Sequence, residues 1–222
     1  MRIHNRFLPA TLDLCLLLSA LAGYGQQQTV GCIGHSDCRS QYEWIWRDFP
    51  GTTWVASGHD SARLNQLLAW EQYDIAFVMM QLGGQCPNWF EVLVGTTDAE
   101  LQGLPGNRNY TPVTQYIQEL QQYLANIAAA CPGSRIVLPN VPPFNVMVLQ
   151  PPASYDSGIA ARVQQYNQYE SYQQFQAVSV DVWTPLQLNG WATPWMVPYI
   201  DPNGQGWYIA DKAIAAAMGL KQ

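Results

Sequence analysis

The sequence predicts a doubly wound α/β domain: a three-layer sandwich around a parallel sheet of about five strands in flavodoxin-like order. Short β-prone runs alternate with segments whose apolar residues recur at helical spacing. One run, 73–82, is apolar almost throughout, as expected for a strand covered by helices on both faces. Small or glycine residues follow several β-prone runs, and the length of 222 residues fits one domain of this kind.

The amino-terminal half predicts three strands and two helices. Leu64, Leu67, Leu68 and Trp70 recur with helical spacing before the apolar run begins. The predicted elements are, in order, strand 28–34, helix 40–48, strand 52–56, helix 61–71 and strand 73–82.

The carboxyl-terminal half continues the alternation after a segment rich in glycine, proline and asparagine. Pro112 is suited to the start of a helix, and Cys131-Pro132-Gly133 to its end. The predicted elements are helix 112–130, strand 135–138, helix 159–175, strand 177–182 and helix 206–218.

The first twenty-five residues are typical of a secretory signal peptide. Arg2 and Arg6 precede an apolar stretch, 14–22, that is too short to span a bilayer. A membrane anchor is the alternative, which Asp13 disfavours because it shortens the apolar run. We therefore expect residues 1–25 to be removed and 26–222 to form one secreted domain without a membrane span.

Composition excludes several classes of protein. Ten Lys and Arg against sixteen Asp and Glu give a formal charge of −6, and no basic run is available to bind nucleic acid. Apolar residues make up 48% of the chain, which excludes intrinsic disorder. Few charges and many amide and aromatic side chains suit an extracellular protein.

Cysteine usage agrees with an oxidising compartment. Removal of Cys15 with the leader leaves Cys32, Cys38, Cys86 and Cys131, an even number with three possible pairings. With only two histidines beyond the leader and no paired Cys-x-x-Cys spacing, we expect no metal site, and the sequence indicates no cofactor.

The ends of the predicted strands carry the candidate chemistry. Ser36 lies in a tight strand-to-helix turn, where backbone N–H groups stabilise a developing oxyanion, although a helix-capping serine fits the same place. Gly83, Gly84 and Gln85 follow the run 73–82 and offer close backbone approach and an amide donor.

These segments, in their order along the chain, resemble the SGNH or GDSL-like hydrolase family of esterases, lipases and carbohydrate deacetylases. Ile33-Gly34-His35-Ser36 resembles its Gly-Asp-Ser nucleophile block, and Leu82-Gly83-Gly84-Gln85 its Gly-x-Asn-Asp block. The segment 199–207 is similar to its last block, Asp-x-x-His-Pro-Asn. The resemblance implies the fold given above, with Ser36 as nucleophile and oxyanion donors from Gly58, Gly83, Gly84 and Gln85.

The departures from this pattern fall on the catalytic residues. Asp201 stands at the position of the family's catalytic His, and Pro198 at that of its catalytic Asp. A serine hydroxyl needs a positioned base, and an ordinary carboxylate is a poor base at neutral pH. The resemblance thus implies a catalytically lapsed member, a pseudoenzyme, that binds a carbohydrate or ester ligand in the strand-end crevice.

An active ester hydrolase is the alternative. His59 follows the second strand and would replace the missing base, oriented by Asp60 or Asp37. A solvated loop histidine is the other interpretation of His59. Tryptophans in or beside predicted strand-end loops favour a sugar ligand, although core packing explains them equally well: Trp89, Trp183, Trp191, Trp195 and Trp207.

The cysteines nearest these strand ends are Cys38 and Cys86. In a flavodoxin-like order the first and third strands are neighbours, so both residues are expected at one edge of the sheet. We therefore predict a Cys38–Cys86 disulfide that braces the crevice.

Overall fold

A computed structural model describes residues 27–39, 49–99, 110–142, 159–169, 175, 177–189 and 204–220 of the chain. Its sheet has five strands, all parallel, in the order β2-β1-β3-β4-β5, which confirms the predicted fold class. The strands are β1 (Gln28–His35), β2 (Thr52–His59), β3 (Trp89–Leu93), β4 (Arg135–Pro139) and β5 (Ala177–Val180).

Helices cover both faces of the sheet. They are α1 (Leu64–Gln81), α2 (Thr96–Ala99), α3 (Val113–Ala130), α4 (Ile159–Tyr169), α5 (Trp183–Leu188) and α6 (Gly204–Met218). One apolar core, around Ile33 and Phe90, lies between the sheet and helices α1, α3 and α4. A second core, around Val30 and Trp89, lies between the other face and α6. The alternation of strand residues between these two cores produces the three layers.

Helix α1 corrects the sequence prediction most strongly, because the segment 73–82 continues the helix that begins at Leu64. The segment is apolar almost throughout for a reason other than strand burial. Leu64, Leu67, Ile75 and Val78 are buried against the sheet, while other large apolar side chains of the same helix are exposed. A helix that is apolar on two faces has no clear helical period, so its sequence looks like that of a buried strand.

Gly83 and Gly84 end this helix and do not follow a strand. Both have positive φ angles, and the amide of Gly84 donates to Met79 O while that of Gly83 donates to Met80 O. This pair of bonds is a Schellman cap, for which glycine is favoured. The third strand is β3, which starts at Trp89, so Gly83, Gly84 and Gln85 lie at the amino edge of the sheet, opposite Ser36. The prediction that Gly83 and Ser36 share an edge is wrong. The predicted fold class is nevertheless confirmed, because β3 occupies the central position in the sheet that was expected for the segment 73–82.

The disulfide prediction is also wrong. Cys32 is bonded to Cys38 and Cys86 to Cys131, with Cα separations of 5.5 and 5.7 Å. Cys86 precedes β3 and Cys131 precedes β4, so this bridge lies at the amino edge. Because β3 starts after Cys86, the residue lies at the edge opposite Cys38 and the two cannot meet.

The remaining predicted elements agree in kind with those observed. Helix α4 ends at Tyr169 in the described chain, and β2 and β5 differ from their predicted bounds by a few residues. The predicted helix 40–48, together with Trp191, Trp195, Pro198 and Asp201, lies outside the described residues. No helix in the described part of the chain is long and apolar enough to cross a membrane.

Candidate functional site

Ser36 lies in the turn directly after β1, at the carboxyl edge of the sheet. The strand end is drawn close to β3, since a Cβ on Gly34 would lie 1.9 Å from Leu93 O. The Cys32–Cys38 bridge spans the turn, and the amide of Arg39 donates to Ser36 O. The disulfide and the close approach of β1 to β3 thus fix the backbone that carries the serine.

His35, the residue before Ser36, is buried and engaged at both ring nitrogens. The amide of Asp37 lies 3.3 Å from Nδ1, and the Thr96 hydroxyl lies 3.2 Å from Nε2. A carboxylate oxygen of Asp37 also lies 3.3 Å from Nδ1. Burial lowers the pKa of His35 to about 4, so the imidazole is neutral at physiological pH.

His59 ends β2, where it is level with His35 in the neighbouring strand. Its Nε2 lies 2.9 and 3.0 Å from the two carboxylate oxygens of Asp74 on α1. The hydroxyl of Ser57 donates to the same carboxylate at 2.7 Å, and the His59 ring packs against Trp70 with 4.5 Å between ring centroids. The buried carboxylate of Asp74 therefore orients the His59 ring toward α1.

Asp74 has a second buried acid beside it. Glu71, one helical turn earlier on α1, accepts a hydrogen bond from Asn126 on α3 at 2.7 Å. Burial raises the pKa of Glu71 to about 8 against the opposing effect of that bond, and the negative charge of Asp74 adds to the rise. Glu71 therefore carries a proton at neutral pH while Asp74 pairs with His59.

The expected orientation of His59 by Asp60 or Asp37 is wrong. Asp60 is exposed and forms an ion pair with Arg39 at 2.8 Å, whereas Asp37 contacts His35. Within the described chain, no hydrogen bond joins the Ser36 hydroxyl to either imidazole. The two histidines therefore lie near the nucleophile turn but are held by other partners.

The loop after β3 supplies residues that the sequence analysis missed. Gly95 has a φ of +97°, and a Cβ there would lie 2.7 Å from the Tyr116 hydroxyl. Gly95-Thr96-Thr97-Asp98 follows β3 at the carboxyl edge, which is the place in which Gly83 to Cys86 were expected. The β-prone run 90–94, apolar except for Glu91 and followed by Gly95, indicates this strand, but the longer run 73–82 concealed it.

Asp98 joins three elements at this edge. Its carboxylate accepts bonds from the Leu64 amide at the start of α1, at 3.1 Å, and from the Thr111 hydroxyl, at 2.7 Å. Tyr166 on α4 donates to its backbone carbonyl. Burial raises the pKa of Asp98 to about 6 although both donors oppose the rise. This carboxylate caps the start of α1 from 34 residues away, in addition to the local bond from the Arg63 amide to Gln66.

The other predicted binding residues have different positions. Gly58 precedes His59 in β2 and lies beside Gly34. A Cβ there would lie 2.5 Å from His35 O, so this glycine allows the end of β1 to pack closely on β2. Trp89 is a buried residue at the start of β3, with Arg135 stacked 4.0 Å from its ring. Trp207 is likewise buried, on α6, whereas Trp183 is partly buried on α5. Trp89 is therefore a core residue at the edge opposite Ser36.

Two concave regions open at the carboxyl edge. A small crevice between β1, β3, β4 and α6 is lined by residues that include His35, Asp37, Asn140 and Trp207. A wider depression of about 450 Å³ lies where α1 and α3 begin and is lined by Arg63, Asn65, Tyr110, Thr111, Pro112 and Gln115. The described residues contain no group of three or more His, Cys, Asp or Glu side chains arranged to hold a metal ion.

Solved structures share this architecture at low sequence identity. A GDSL-like lipase from Bacteroides thetaiotaomicron superposes with a TM-score of 0.66 at 15% identity, over 93% of this chain and 97% of its own. The chain has the SGNH or GDSL-like hydrolase fold. A catalytic mutant of an acetylxylan esterase from Geobacillus stearothermophilus gives a TM-score of 0.66 at 15% identity, over 89% and 96%. An α/β hydrolase from the Lake Arreo metagenome gives 0.66 at 17%, over 88% and 97%.

Sequence comparison finds no matching family model and no matching curated protein. At these identities the structural likeness establishes the SGNH fold, while the chemistry of the site depends on the residues described above.

Proposed function

We propose that this SGNH-fold protein is exported, no longer hydrolyses esters, and binds a carbohydrate or carbohydrate ester at the carboxyl edge of its sheet. The observation that carries the proposal is the engagement of His35 and His59 by partners other than Ser36. These are the only histidines beyond the predicted leader.

A serine nucleophile without a base reacts slowly. His35 is a poor candidate because both of its nitrogens are engaged and its pKa is lowered to about 4. By the resemblance of the segment 199–207 to the family's last block, Asp201 stands at the position of the catalytic histidine. Loss of a triad member costs on the order of 10⁴-fold in turnover or more.

The lining of the wider depression supports a carbohydrate as the ligand class. An aromatic ring, Tyr110, stands beside the side-chain amides of Asn65 and Gln115 and the guanidinium of Arg63. Aromatic faces with amide donors and acceptors suit the apolar faces and hydroxyls of sugars, and the volume falls within the ordinary range for small-ligand sites. An acetylxylan esterase among the structural neighbours supports an acetylated saccharide as the first probe.

Export is supported by two independent features. Residues 1–25 have the composition of a signal peptide. The four cysteines beyond them form two disulfides, Cys32–Cys38 and Cys86–Cys131. Paired cysteines of this kind persist in oxidising compartments.

Binding and turnover are tested together with acetylated xylo-oligosaccharides. We expect calorimetry to detect binding to the wild type, no acetate release above background, and at least tenfold weaker binding by Tyr110→Ala. Tyr208→Ala, at an exposed tyrosine on α6, is the matched control and should bind as the wild type does. Acetate release abolished by Ser36→Ala would contradict the loss of hydrolysis, and unchanged binding by Tyr110→Ala would contradict the assigned ligand surface.

An active hydrolase is the second candidate, favoured by one observation. A buried carboxylate that holds one imidazole nitrogen is the arrangement that orients a catalytic histidine, and Asp74 holds Nε2 of His59 in this way. For this candidate, Nδ1 of His59 must turn to Ser36 when substrate binds. Wild-type turnover lost in both Asp74→Asn and His59→Gln would support it, whereas turnover unaffected by either variant would exclude His59 as the base.

A further inference from the structure

The outer face of α1 carries a row of large apolar side chains. Trp70, Tyr73, Phe77 and Met80 are 39, 77, 39 and 64% exposed. They follow each other at intervals of three and four residues, so they form one stripe along the helix. Scattered exposed apolar residues are ordinary, but a contiguous stripe marks an interaction surface.

This stripe is uncharged although the chain carries a formal charge of −6. The only ionisable acids of α1 are Glu71 and Asp74, and both are buried on the inner side. Its exposed neighbours on the helix are amides and alanines, among them Gln72 and Ala76. Enrichment in Trp, Tyr, Phe and Met with depletion of charge is the composition of a protein–protein interface core.

The stripe is also symmetric about its own centre. Positions 70 and 80 are equidistant from residue 75, and so are positions 73 and 77. If a second copy of α1 lies antiparallel across this stripe, Trp70 of each copy meets Met80 of the other, and Tyr73 of each meets Phe77 of the other. These contacts repeat on both sides of the two-fold axis. Each contact is then a sulfur–aromatic or aromatic pair, which are favourable combinations.

We propose that α1 is the centre of a two-fold symmetric homodimer, with the partner's α1 packed antiparallel on this stripe. A second copy is favoured because a two-fold interface must be complementary to itself, and the spacing of the four residues satisfies that condition. The neutral face also lets two acidic chains approach without like charges meeting at the contact. This inference does not depend on the proposed ligand.

The size of the face predicts a reversible dimer. At their exposed fractions the three aromatic side chains present roughly 300 Å², if about 200 Å² is taken for each when fully exposed. A standard interface buries about 800 Å² per partner, so Met80 and the flanking amides and alanines must complete the contact. We therefore expect a dimer that dissociates on dilution.

Sedimentation velocity of the intact protein tests the proposal. We expect the mass of the wild type to approach twice that of one chain at about 100 μM. The two single variants Tyr73→Glu and Phe77→Glu should each be monomeric at the same concentration. Tyr208→Glu introduces the same charge at an exposed tyrosine on α6 and should leave the dimer intact. Circular dichroism establishes that each variant is folded.

Engineered cysteines test the antiparallel arrangement. A mixture of Trp70→Cys and Met80→Cys chains should form an intermolecular disulfide on mild oxidation, because the two positions meet across the axis. Trp70→Cys alone should remain uncrosslinked, since the two copies of position 70 lie about 15 Å apart along the helices. A monomeric wild type, a dimer unaffected by Tyr73→Glu, or a monomer that uses this stripe to bind polysaccharide would overturn the proposal.

Discussion

The position of His59 was predictable from the sequence, but its hydrogen-bond partner was not. His59 was predicted as a replacement base, and the structure does place it beside His35 at the carboxyl edge. Its partner, Asp74, lies fifteen residues further along the chain, in a segment that the sequence predicts to be a strand. A contact between a strand end and the middle of a helix depends on how the two elements pack, so residue spacing could not reveal it.

Replacing Glu71 by Gln should make the protein more stable at alkaline pH. The pKa of Glu71 is raised from 4.5 to about 8, so the folded state favours the protonated form. The associated stability is fully present below pH 4.5 and is lost as the pH rises toward 8. We expect Glu71→Gln to match the wild type near pH 4.5 and to exceed its free energy of unfolding by a few kcal/mol at pH 8.

Urea unfolding across this pH range measures the effect. Asp60→Asn, at an exposed carboxylate, is the control and should follow the wild-type pH profile. A Glu71→Gln variant that follows the wild-type profile as well would show that Glu71 is ionised in the folded protein at neutral pH.

Gly34→Ala should unfold the domain or destabilise it by more than about 3 kcal/mol. The φ angle of Gly34 is +144°, and an added Cβ would lie 1.9 Å from the backbone carbonyl of Leu93 in β3. Neither strand of this central pair can move without breaking the sheet. Gly133→Ala is the matched control, because a Cβ there meets nothing within 4 Å, and thermal unfolding should show a small change. Equal effects of the two substitutions would be inconsistent with the close approach of β1 and β3.

Among the elements, α1 shows why a hydrophobic pattern alone can predict the wrong kind of element. Its inner face packs on the sheet, its outer face carries exposed aromatic residues, and its two acids are buried between β2 and α3. By contrast, α3 has buried residues on one face, including Tyr116, Leu120 and Leu124, and its bounds were predicted almost to the residue. A helix that is apolar on one face only is readily recognised, whereas one with two apolar faces is not.

The two disulfides join different elements and should have different effects. Cys86–Cys131 closes a loop of 45 residues at the amino edge, for which the chain-entropy model gives about 4 kcal/mol. Cys32–Cys38 spans only 6 residues around Ser36, for which the same model gives about 2 kcal/mol. We expect replacement of the longer bridge by alanines to lower stability more, and replacement of the shorter one to weaken ligand binding more.

Denaturant unfolding and calorimetry of the two double alanine variants separate these effects. If loss of the Cys86–Cys131 bridge weakens binding while loss of the Cys32–Cys38 bridge does not, the ligand surface lies at the amino edge and our placement is wrong.

For the whole molecule, the order of strands and helices was sufficient to predict the fold even though the third strand was assigned to the wrong segment. The real strand, Trp89–Leu93, lies between the same neighbours along the chain, so the alternation and the sheet order were unaffected. The site was more sensitive, because a misplaced strand moves every residue at its end. Gly83, Gly84 and Gln85 were thereby assigned to the edge opposite the one they occupy, and Gly95 to Asp98 were overlooked.

We propose that Ser36 has the position of a nucleophile in an SGNH fold but lacks an active base. An active-site-directed fluorophosphonate probe tests it most directly, because the probe reacts with a serine only when that serine is activated. Intact-mass measurement should detect no adduct on the wild type after prolonged incubation at pH 7 to 8, as for Ser36→Ala. Stoichiometric labelling of the wild type that is absent in Ser36→Ala would show that Ser36 is activated and that the proposed loss of hydrolysis is wrong.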